Sequence, residues 1–364
     1  MWLSTGIPGR TSQKGSAFAF EPKARSSESR SYKTGNTELD TEALPSSYLE
    51  RYLAPFEHWL TDDDVIELAI NPDGRVWIER RGSTAMECGD KAVDPADAIN
   101  LGTTMVGDAK AKVSEKNPLV SGKVEFRGRP LRVQVVVSPA VEQGATITIR
   151  LFGQTDIRNY EPSYLQGKAV SLTDIRAEKL KAISKQAETD LTEALRQLVE
   201  DRLNILVSGG TSTGKTTFAR HLLTHVPDNE RLITIEDAFE LFPHQPNSVC
   251  LLADRAKDSP RSAGALLQAS LRMRPDRIVV GELRGSEALT YLEAINTGHG
   301  GSVSTIHAET AELAIDRLAI MVLQAGTPLT FAEVQTYIRK SIDVIVQLGR
   351  TDGRRGIAEL LVLE

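Results

Sequence analysis

Apolar residues recur along the chain with two different periods, and each period predicts a different kind of element. Downstream of Ser47, apolar residues are spaced three or four positions apart, as they are on one face of an amphipathic helix. Val65–Ile70 and Arg75–Arg80 are β-rich runs on either side of Asn71-Pro72-Asp73-Gly74, whose residues favour a tight reversal. The pattern therefore predicts a helix followed by a β-hairpin.

The remainder of the N-terminal half continues this mixed pattern. We predict a helix over 95–113 and strands over 123–126, 130–137 and 146–152, separated by glycine-containing turns. Residues 153–172 are polar, contain proline and glycine, and show no clear period, which is typical of an interdomain linker. The sequence thus predicts an N-terminal α+β domain over 46–152 with a mainly antiparallel sheet, followed by a linker over 153–172.

The C-terminal half, 173–364, alternates between short apolar runs and helical patterns. The helical patterns cover 174–183 and 189–200, and the apolar runs cover 204–208, 232–235, 249–252, 277–281 and 302–306. Strands that alternate with helices indicate a parallel sheet wrapped by helices. We therefore predict an α/β domain here, and we find no internal repeat.

Composition excludes several classes of protein. Hydrophobic residues make up 40% of the 364 residues and charged residues 25%, which are values of a folded globular chain rather than a disordered or fibrous one. The two cysteines, Cys88 and Cys250, are too few for a disulfide framework or a zinc ribbon, and no apolar run has the length of a membrane span. The net charge of −6 argues against tight binding of duplex DNA.

The first 45 residues differ from the rest of the chain. They are rich in serine, carry scattered basic residues and lack apolar periodicity, so we interpret them as a disordered basic and serine-rich arm. The apolar core of a signal peptide is missing, and we expect none. A solvated tail and a contact with an anionic membrane or a partner are both open for this arm.

A phosphate-binding loop is the strongest chemical signal. It lies between an apolar strand and a helix and consists of Gly209, Gly210, Thr211, Ser212, Thr213, Gly214, Lys215 and Thr216, with Thr217 next to it. In such a loop, backbone N–H groups surround the phosphates, Lys215 neutralises the β and γ oxygens, and Thr216 offers its hydroxyl to Mg²⁺. A purely structural turn would not need the Lys-Thr pair.

Carboxylates follow two other apolar strands. Glu282 ends the run that starts at Arg277, where it could polarise the attacking water or hold Mg²⁺. Glu236 and Asp237 follow the apolar residues of 232–235. A shift of one residue exchanges the faces of a strand, so the pattern does not decide between these two; we prefer Glu236 as a second metal ligand, and a capping role for both is the alternative.

Two histidines flank a glycine-rich turn and a short strand. His299 and His307 lack the spacing of a zinc pair. A buried, hydrogen-bonded core histidine is the usual explanation of such a residue. The alternative for His307 is a sensor that hydrogen-bonds the γ-phosphate.

Four segments in this order resemble the Walker A, Asp box, Walker B and His box of bacterial secretion ATPases. They are the phosphate loop, ITIED at 233–237, RIVVGELRG at 277–285 and GHGGSVSTIHA at 298–308. The segments at 52–80, 147–150, 271–278 and 318–326 are also similar to the type IV secretion traffic ATPases. The likeness covers about 48–348. The tetracysteine zinc insertion of type II relatives is missing.

The resemblance implies a RecA-like C-terminal domain and Mg²⁺-dependent ATP hydrolysis by a homohexameric ring. It further implies a cytoplasmic ring, peripherally associated with the inner membrane through components of the secretion apparatus, that touches DNA only through its cargo. In such relatives basic N-terminal residues reach the phosphates; Arg150 is our first candidate and Arg132 our second, and a solvated sheet arginine is the alternative for each. A type II secretion or type IV pilus assembly motor and, less well supported, a RecA-like DNA motor are the competing functions.

Overall fold

The computed structural model describes residues 47–153, 158, 161–256 and 258–363. The arm over 1–45 lies outside these residues, as do 154–157 and 159–160 of the linker. The described elements belong to one unit of mutually contacting residues, Pro45–Glu364. Within the described part of the chain, no helix is long and apolar enough to cross a membrane.

A six-stranded antiparallel sheet forms the N-terminal half, as the sequence predicts. Its strand order is β3-β2-β1-β6-β5-β4. The elements are α1 (Tyr48–Leu53), a 3₁₀ turn (Ala54–Phe56), α2 (Glu57–Leu60), β1 (Val65–Ile70), β2 (Arg75–Arg80), β3 (Glu87–Ala92), α3 (Pro95–Asp108), β4 (Leu119–Phe126), β5 (Arg129–Val137) and β6 (Ala145–Leu151).

Local sequence explains how these elements begin and end. Ser47 caps α1 in a reciprocal capping box with Glu50. Helix α3 starts behind Asp94, and it ends at Asp108 rather than at 113, because Lys110 takes a left-handed backbone conformation with φ of 58°. The hydrophobic pattern did not predict strand β3, because this strand is polar and exposed at the edge of the sheet.

The second sheet has seven strands in the order β13-β12-β7-β11-β10-β8-β9, and all pairs are parallel except β12 with β13. Its elements are α4 (Leu172–Thr189), α5 (Leu191–Glu200), β7 (Ile205–Gly209), α6 (Lys215–Leu223), β8 (Leu232–Glu236), β9 (Ser248–Leu252), α7 (Ala263–Ser270), β10 (Arg277–Val280), α8 (Glu287–Asn296), β11 (Val303–Ile306), α9 (Ala311–Gln324), α10 (Phe331–Ser341), β12 (Val344–Thr351) and β13 (Arg354–Val362). The predicted fold class is confirmed, and the β12–β13 hairpin is an addition that the sequence pattern did not reveal.

A buried arginine joins the two sheets. The side chain of Arg231 is fully buried, and its Nη1 donates hydrogen bonds to the side-chain oxygens of Asn71, at 2.7 Å, and of Asn247. Asn71 belongs to the β1–β2 turn, whereas Asn247 immediately precedes β9. Burial lowers the pKa of Arg231 to about 10, so its charge is retained at neutral pH. The contact therefore fastens the β1–β2 turn to the edge of the parallel sheet.

A second polar contact supports this junction. Arg274, just before β10, pairs with Glu79 of β2 at 2.7 Å and with Asp276 at 2.6 Å. The Arg231 and Arg274 contacts both lie on the side of the parallel sheet where β8 and β10 begin. The N-terminal sheet is thus held at the amino-terminal ends of these strands.

We predict that Asn71→Ala destabilises the protein by about 2 kcal/mol, because a hydrogen bond to a buried charge is lost and one guanidinium donor has no replacement. Scanning calorimetry should show a melting temperature lowered by several degrees. Asn100→Ala, at an exposed position of α3, is the matched control and should melt like the parent. Equal melting temperatures for the two variants would contradict a structural role for the Arg231 contact.

Candidate active site

The phosphate loop runs from the end of β7 to the start of α6. Gly214 precedes the helix with φ of 95°, a conformation that favours glycine. A Cβ atom at Gly209 would lie 2.5 Å from Thr213 Oγ1 and 3.0 Å from the Leu348 carbonyl oxygen, so a side chain does not fit there. The backbone path thus requires glycine at positions 209 and 214 of the motif.

Lys215 lies at the centre of the loop. Its Nζ donates to the carbonyl oxygens of Gly209 and Gly210, both at 3.1 Å, and lies 3.2 Å from Nδ1 of His307. Burial is the main cause that lowers the pKa of Lys215, and the carboxylate of Glu282 opposes it. The loop therefore holds its cation partly removed from solvent.

His307 connects this cation to Glu282. Nε2 of His307 lies 3.3 Å from Oε1 of Glu282, whose Oε2 accepts a hydrogen bond from Arg284 at 2.6 Å. Burial first, and then the charge of Lys215, lower the pKa of His307, which favours the neutral ring at pH 7. Nζ of Lys215 lies 3.2 Å from Nδ1 and 3.4 Å from Nε2 of His307, so it contacts both ring nitrogens, while Nε2 also faces Glu282. The three side chains form one connected chain.

These residues line a cavity of about 450 Å³ at the carboxyl ends of β7, β10 and β11. The cavity is lined by Thr211, Ser212, Gly214, Lys215, Thr216, Thr217, Glu240, Glu282, Arg284, Thr305, His307 and Arg355. Four residues in this set were missed by sequence reasoning: Glu240, Arg284, Thr305 and Arg355. Arg284 and Thr305 lie inside the quoted Walker B and His box segments, so their positions were available as a signal.

Oxygen donors in this cavity suit Mg²⁺. The hydroxyl of Thr216 and the carboxylate of Glu282 are hard ligands of the type that Mg²⁺ prefers. Among the residues that the structure describes, no cluster of three or more His, Cys, Asp or Glu could hold a metal by itself. Mg²⁺ binds one or two carboxylates together with substrate phosphates and keeps several waters, so Thr216 and Glu282 suit this ion as ligands.

The structure does not bring Glu236 into this cavity. Its Oε1 accepts hydrogen bonds from the backbone N–H groups of Glu240 and Leu241, both at 2.9 Å, and its side chain is buried. Burial raises its pKa, and it lines a separate cavity of about 620 Å³. Glu236 organises the turn after β8, which corresponds to the capping alternative.

Glu236 lies beside the Walker B segment, because a Cβ atom at Gly281 would lie 3.2 Å from its Cγ. Asp237 contacts the same segment through Arg284. Its Oδ2 lies 2.5 Å from Arg255 and 3.9 Å from Arg284. Arg284 thereby bridges Asp237 and Glu282. The preference for Glu236 as a second metal ligand stays a prediction; in this structure its Oε1 accepts from two backbone N–H groups of the turn after β8.

Arg132 and Arg150 also lie elsewhere. They are register partners on β5 and β6, and they line a cavity of about 290 Å³ with Glu67, Arg272, Arg274 and His299. Arg272, Arg274 and His299 precede β10 and β11, whereas Glu282 and His307 follow these strands. The arginines are therefore at the opposite end of the strands from the phosphate loop of the same chain.

Comparisons with known proteins agree with these motifs. The family model for type II/IV secretion system proteins matches residues 120–353. The type IV secretion system protein VirB11 of Bartonella quintana is 34% identical over 85% of this chain and 91% of its own length. The conjugal transfer protein TrbB of Rhizobium radiobacter is 33% identical over 84% of this chain and 85% of its own length.

A solved structure extends the similarity to the fold. The crystal structure of the VirB11 ATPase from the Brucella suis type IV secretion system, in complex with sulphate, matches with a TM-score of 0.74 and 32% identity. The match covers 86% of this chain and 97% of that chain. The predictions of a traffic ATPase and of type IV secretion are confirmed. This chain belongs to the type II/IV secretion system family, as a traffic ATPase of the VirB11 kind that energises type IV secretion.

Proposed function

We propose that the phosphate-loop cavity binds ATP with Mg²⁺ and hydrolyses it, and that Lys215, Glu282 and His307 carry this chemistry. The observation that supports the proposal most strongly is the connected chain of these three side chains next to the loop. The loop N–H groups and Lys215 bind the phosphates, and the hydroxyl of Thr216 and, through the hydration shell, the carboxylate of Glu282 would hold the metal ion. The cation would neutralise charge on the β and γ oxygens.

Each side chain has a defined part in the proposed reaction. Water attacks the γ-phosphorus in line, the bond to the β–γ bridging oxygen breaks, and ADP leaves. Glu282, fixed by Arg284 and His307, orients the water and takes its proton. Lys215 stabilises negative charge on the transferring group. His307 contacts both Lys215 and Glu282, and through these contacts it would sense the γ-phosphate.

We expect Glu282→Gln to bind ATP like the parent and to hydrolyse it at least about a hundredfold more slowly, since a positioned acid–base group contributes roughly that much or more. Lys215→Ala should lose nucleotide binding itself. Steady-state phosphate release and equilibrium binding measure the two effects separately. Glu293→Gln, an exposed change on α8, is the control. Parent-like turnover by Glu282→Gln would remove Glu282 from the mechanism.

From the environment of His307 we predict that turnover falls on the acid side of its pH profile, the acid limb. Because its pKa in the folded protein is lowered from the ordinary value of 6.5, the neutral ring predominates above that value and protonation occurs below it. Protonation places a second positive charge beside Lys215 and removes an acceptor. Turnover should therefore fall as the pH drops below about 6.5. His307→Gln cannot titrate in this range, and an unchanged acid limb in this variant would assign the limb to another group.

We further propose a homohexamer in which Arg150, supported by Arg132, completes the active site of a neighbouring copy. These arginines lie away from the phosphate loop of their own chain, so a neighbour is the partner that their position permits. A ring of identical head-to-tail contacts supplies such a neighbour to every copy. Because the two sheets are separate elements, we propose that 46–152 and 173–364 act as two domains joined by 153–172, with Glu236 shaping the site from the second.

Mixed rings test this arrangement. Arg150→Ala and Lys215→Ala chains should each form inactive rings, but rings co-assembled from both should recover part of the activity. The reason is that an intact loop of the first chain can meet an intact Arg150 of the second. A mixture of Lys215→Ala with Glu282→Gln is the control and should stay inactive, because both residues are needed in one cavity. Equal inactivity of both mixtures would contradict an arginine supplied by a neighbour.

The proposed ring works on the cytoplasmic side of the inner membrane. We propose that it associates peripherally with membrane components of the secretion apparatus, and that DNA contacts, where a cargo includes DNA, are indirect. The relatives support this placement because they are themselves named as type IV secretion and conjugal transfer proteins. Flotation of the ring with and without purified inner-membrane components of the apparatus tests it; flotation with bare vesicles alone would contradict it.

A further inference from the structure

We propose that Arg355, on the C-terminal hairpin, binds the adenosine side of an adenosine di- or triphosphate in the phosphate-loop cavity; this rests on the proposed function of that cavity. Arg355 is the second residue of β13, the strand that begins directly after the turn from β12. The turn has left-handed backbone conformations at Asp352 and Gly353, the arrangement of a two-residue hairpin loop.

Strand register directs Arg355 towards the loop. Ile357 pairs with Leu348, and Arg355 pairs with Arg350. Leu348 and Ile357 pack in the same apolar cluster as Ala219 of α6, the helix that follows the loop. Side chains two apart in a strand share a face, so Arg355 shares this face and lies one step nearer the hairpin tip.

Direct distances place the hairpin against both ends of the loop. A Cβ atom at Gly214 would lie 4.0 Å from Cδ of Arg355, and one at Gly209 would lie 3.0 Å from the carbonyl oxygen of Leu348. Arg355 also lines the cavity that contains Lys215 and Thr216. The hairpin is therefore a wall of the cavity, with Arg355 on its inner side.

The guanidinium of Arg355 differs from the other cations of the cavity. Arg284 is paired with Glu282, and Lys215 donates to loop carbonyl oxygens. Within the described part of the chain, Arg355 has no carboxylate within salt-bridge distance, and it is exposed. Its donors are available to a ligand, and a ligand with phosphates and an aromatic base offers a guanidinium two kinds of partner.

The order of the strands in the sheet determines which part of the nucleotide lies near Arg355. Glu282 and His307 follow β10 and β11, on one side of β7, and they mark the position of the γ-phosphate in the proposed mechanism. The hairpin of β12 and β13 lies on the other side of β7. A nucleotide whose γ-phosphate points towards Glu282 thus directs its α-phosphate and adenosine towards Arg355.

This placement has a kinetic signature. ADP and ATP share the adenosine and the α-phosphate, and this part does not change during the reaction. Removing a contact to it weakens substrate and transition state alike, which raises KM and leaves kcat unchanged. Residues on the γ-phosphate side should change kcat instead.

Titration calorimetry with unlabelled ADP tests the proposal on the full-length protein. Arg355→Ala should weaken ADP binding about tenfold, the usual order for a hydrogen bond to a charged group. The KM for ATP should rise by a similar factor, with kcat within about twofold of the parent. Arg354→Ala is the matched control, because the neighbouring arginine points to the other face of β13, and it should bind ADP like the parent.

Three results would overturn the proposal, and they are distinguishable. If Lys215→Ala loses ADP binding while Arg355→Ala and Arg354→Ala bind equally well, the proposed site stands and Arg355 is an ordinary surface residue. A loss of kcat without a change in ADP affinity would contradict the adenosine-side placement. Parent-like ADP binding by Lys215→Ala would overturn the nucleotide site itself, and the Arg355 contact with it.

Discussion

The candidate active site depends on the parallel register of four neighbouring strands. Val280 of β10 lies beside Ile235 of β8 and Ser304 of β11, and Ile306 of β11 lies beside Ser208 of β7. Because parallel strands end at one edge of a sheet, the residues that follow each strand meet there. A shift of one residue in β10 would turn its side chains to the other face and remove Glu282 from the loop.

Side-chain hydrogen bonds reinforce this register where the chemistry requires it. Ser304 donates to the carbonyl oxygen of Val280 at 2.8 Å, and Thr305 donates to that of Gly281 at 2.7 Å. The two hydroxyl groups of β11 thereby have hydrogen-bond partners within the protein. The strand that carries His307 is fixed to the strand that carries Glu282, which keeps the two side chains within contact distance.

The sequence identified those site residues whose position follows from a strand and its end. Lys215, Glu282 and His307 each follow an apolar strand, so their convergence could be predicted from alternation alone. The choice between Glu236 and Asp237 could not, because it depends on two backbone hydrogen bonds in the turn after β8. These bonds join the Glu236 side chain to backbone N–H groups four and five residues further along the chain, which the spacing of apolar residues does not encode.

The sequence did not show that Arg132 and Arg150 lie away from the phosphate loop of their own chain, and the reason is different. Their strands were predicted well, and their strand faces follow from the register with Glu67 of β1. Which end of the parallel sheet they face is decided by the buried contact of Arg231 with Asn71, and in the sequence Arg231 looks like any surface arginine. A tertiary contact of one side chain thus determines which cavity two others enter.

The contacts of Lys215 indicate how phosphate binding could be communicated. An ammonium group has three donors, and here Gly209, Gly210 and His307 provide three acceptors. In the proposed mechanism the phosphate oxygens need at least one of these donors, and the imidazole is the partner that can move without disturbing the loop backbone. When Lys215 turns from His307 to a phosphate, the imidazole keeps its contact with Glu282. In the proposed mechanism the orientation of Glu282 is therefore coupled to occupation of the loop, and His307 would both position Glu282 and report the γ-phosphate.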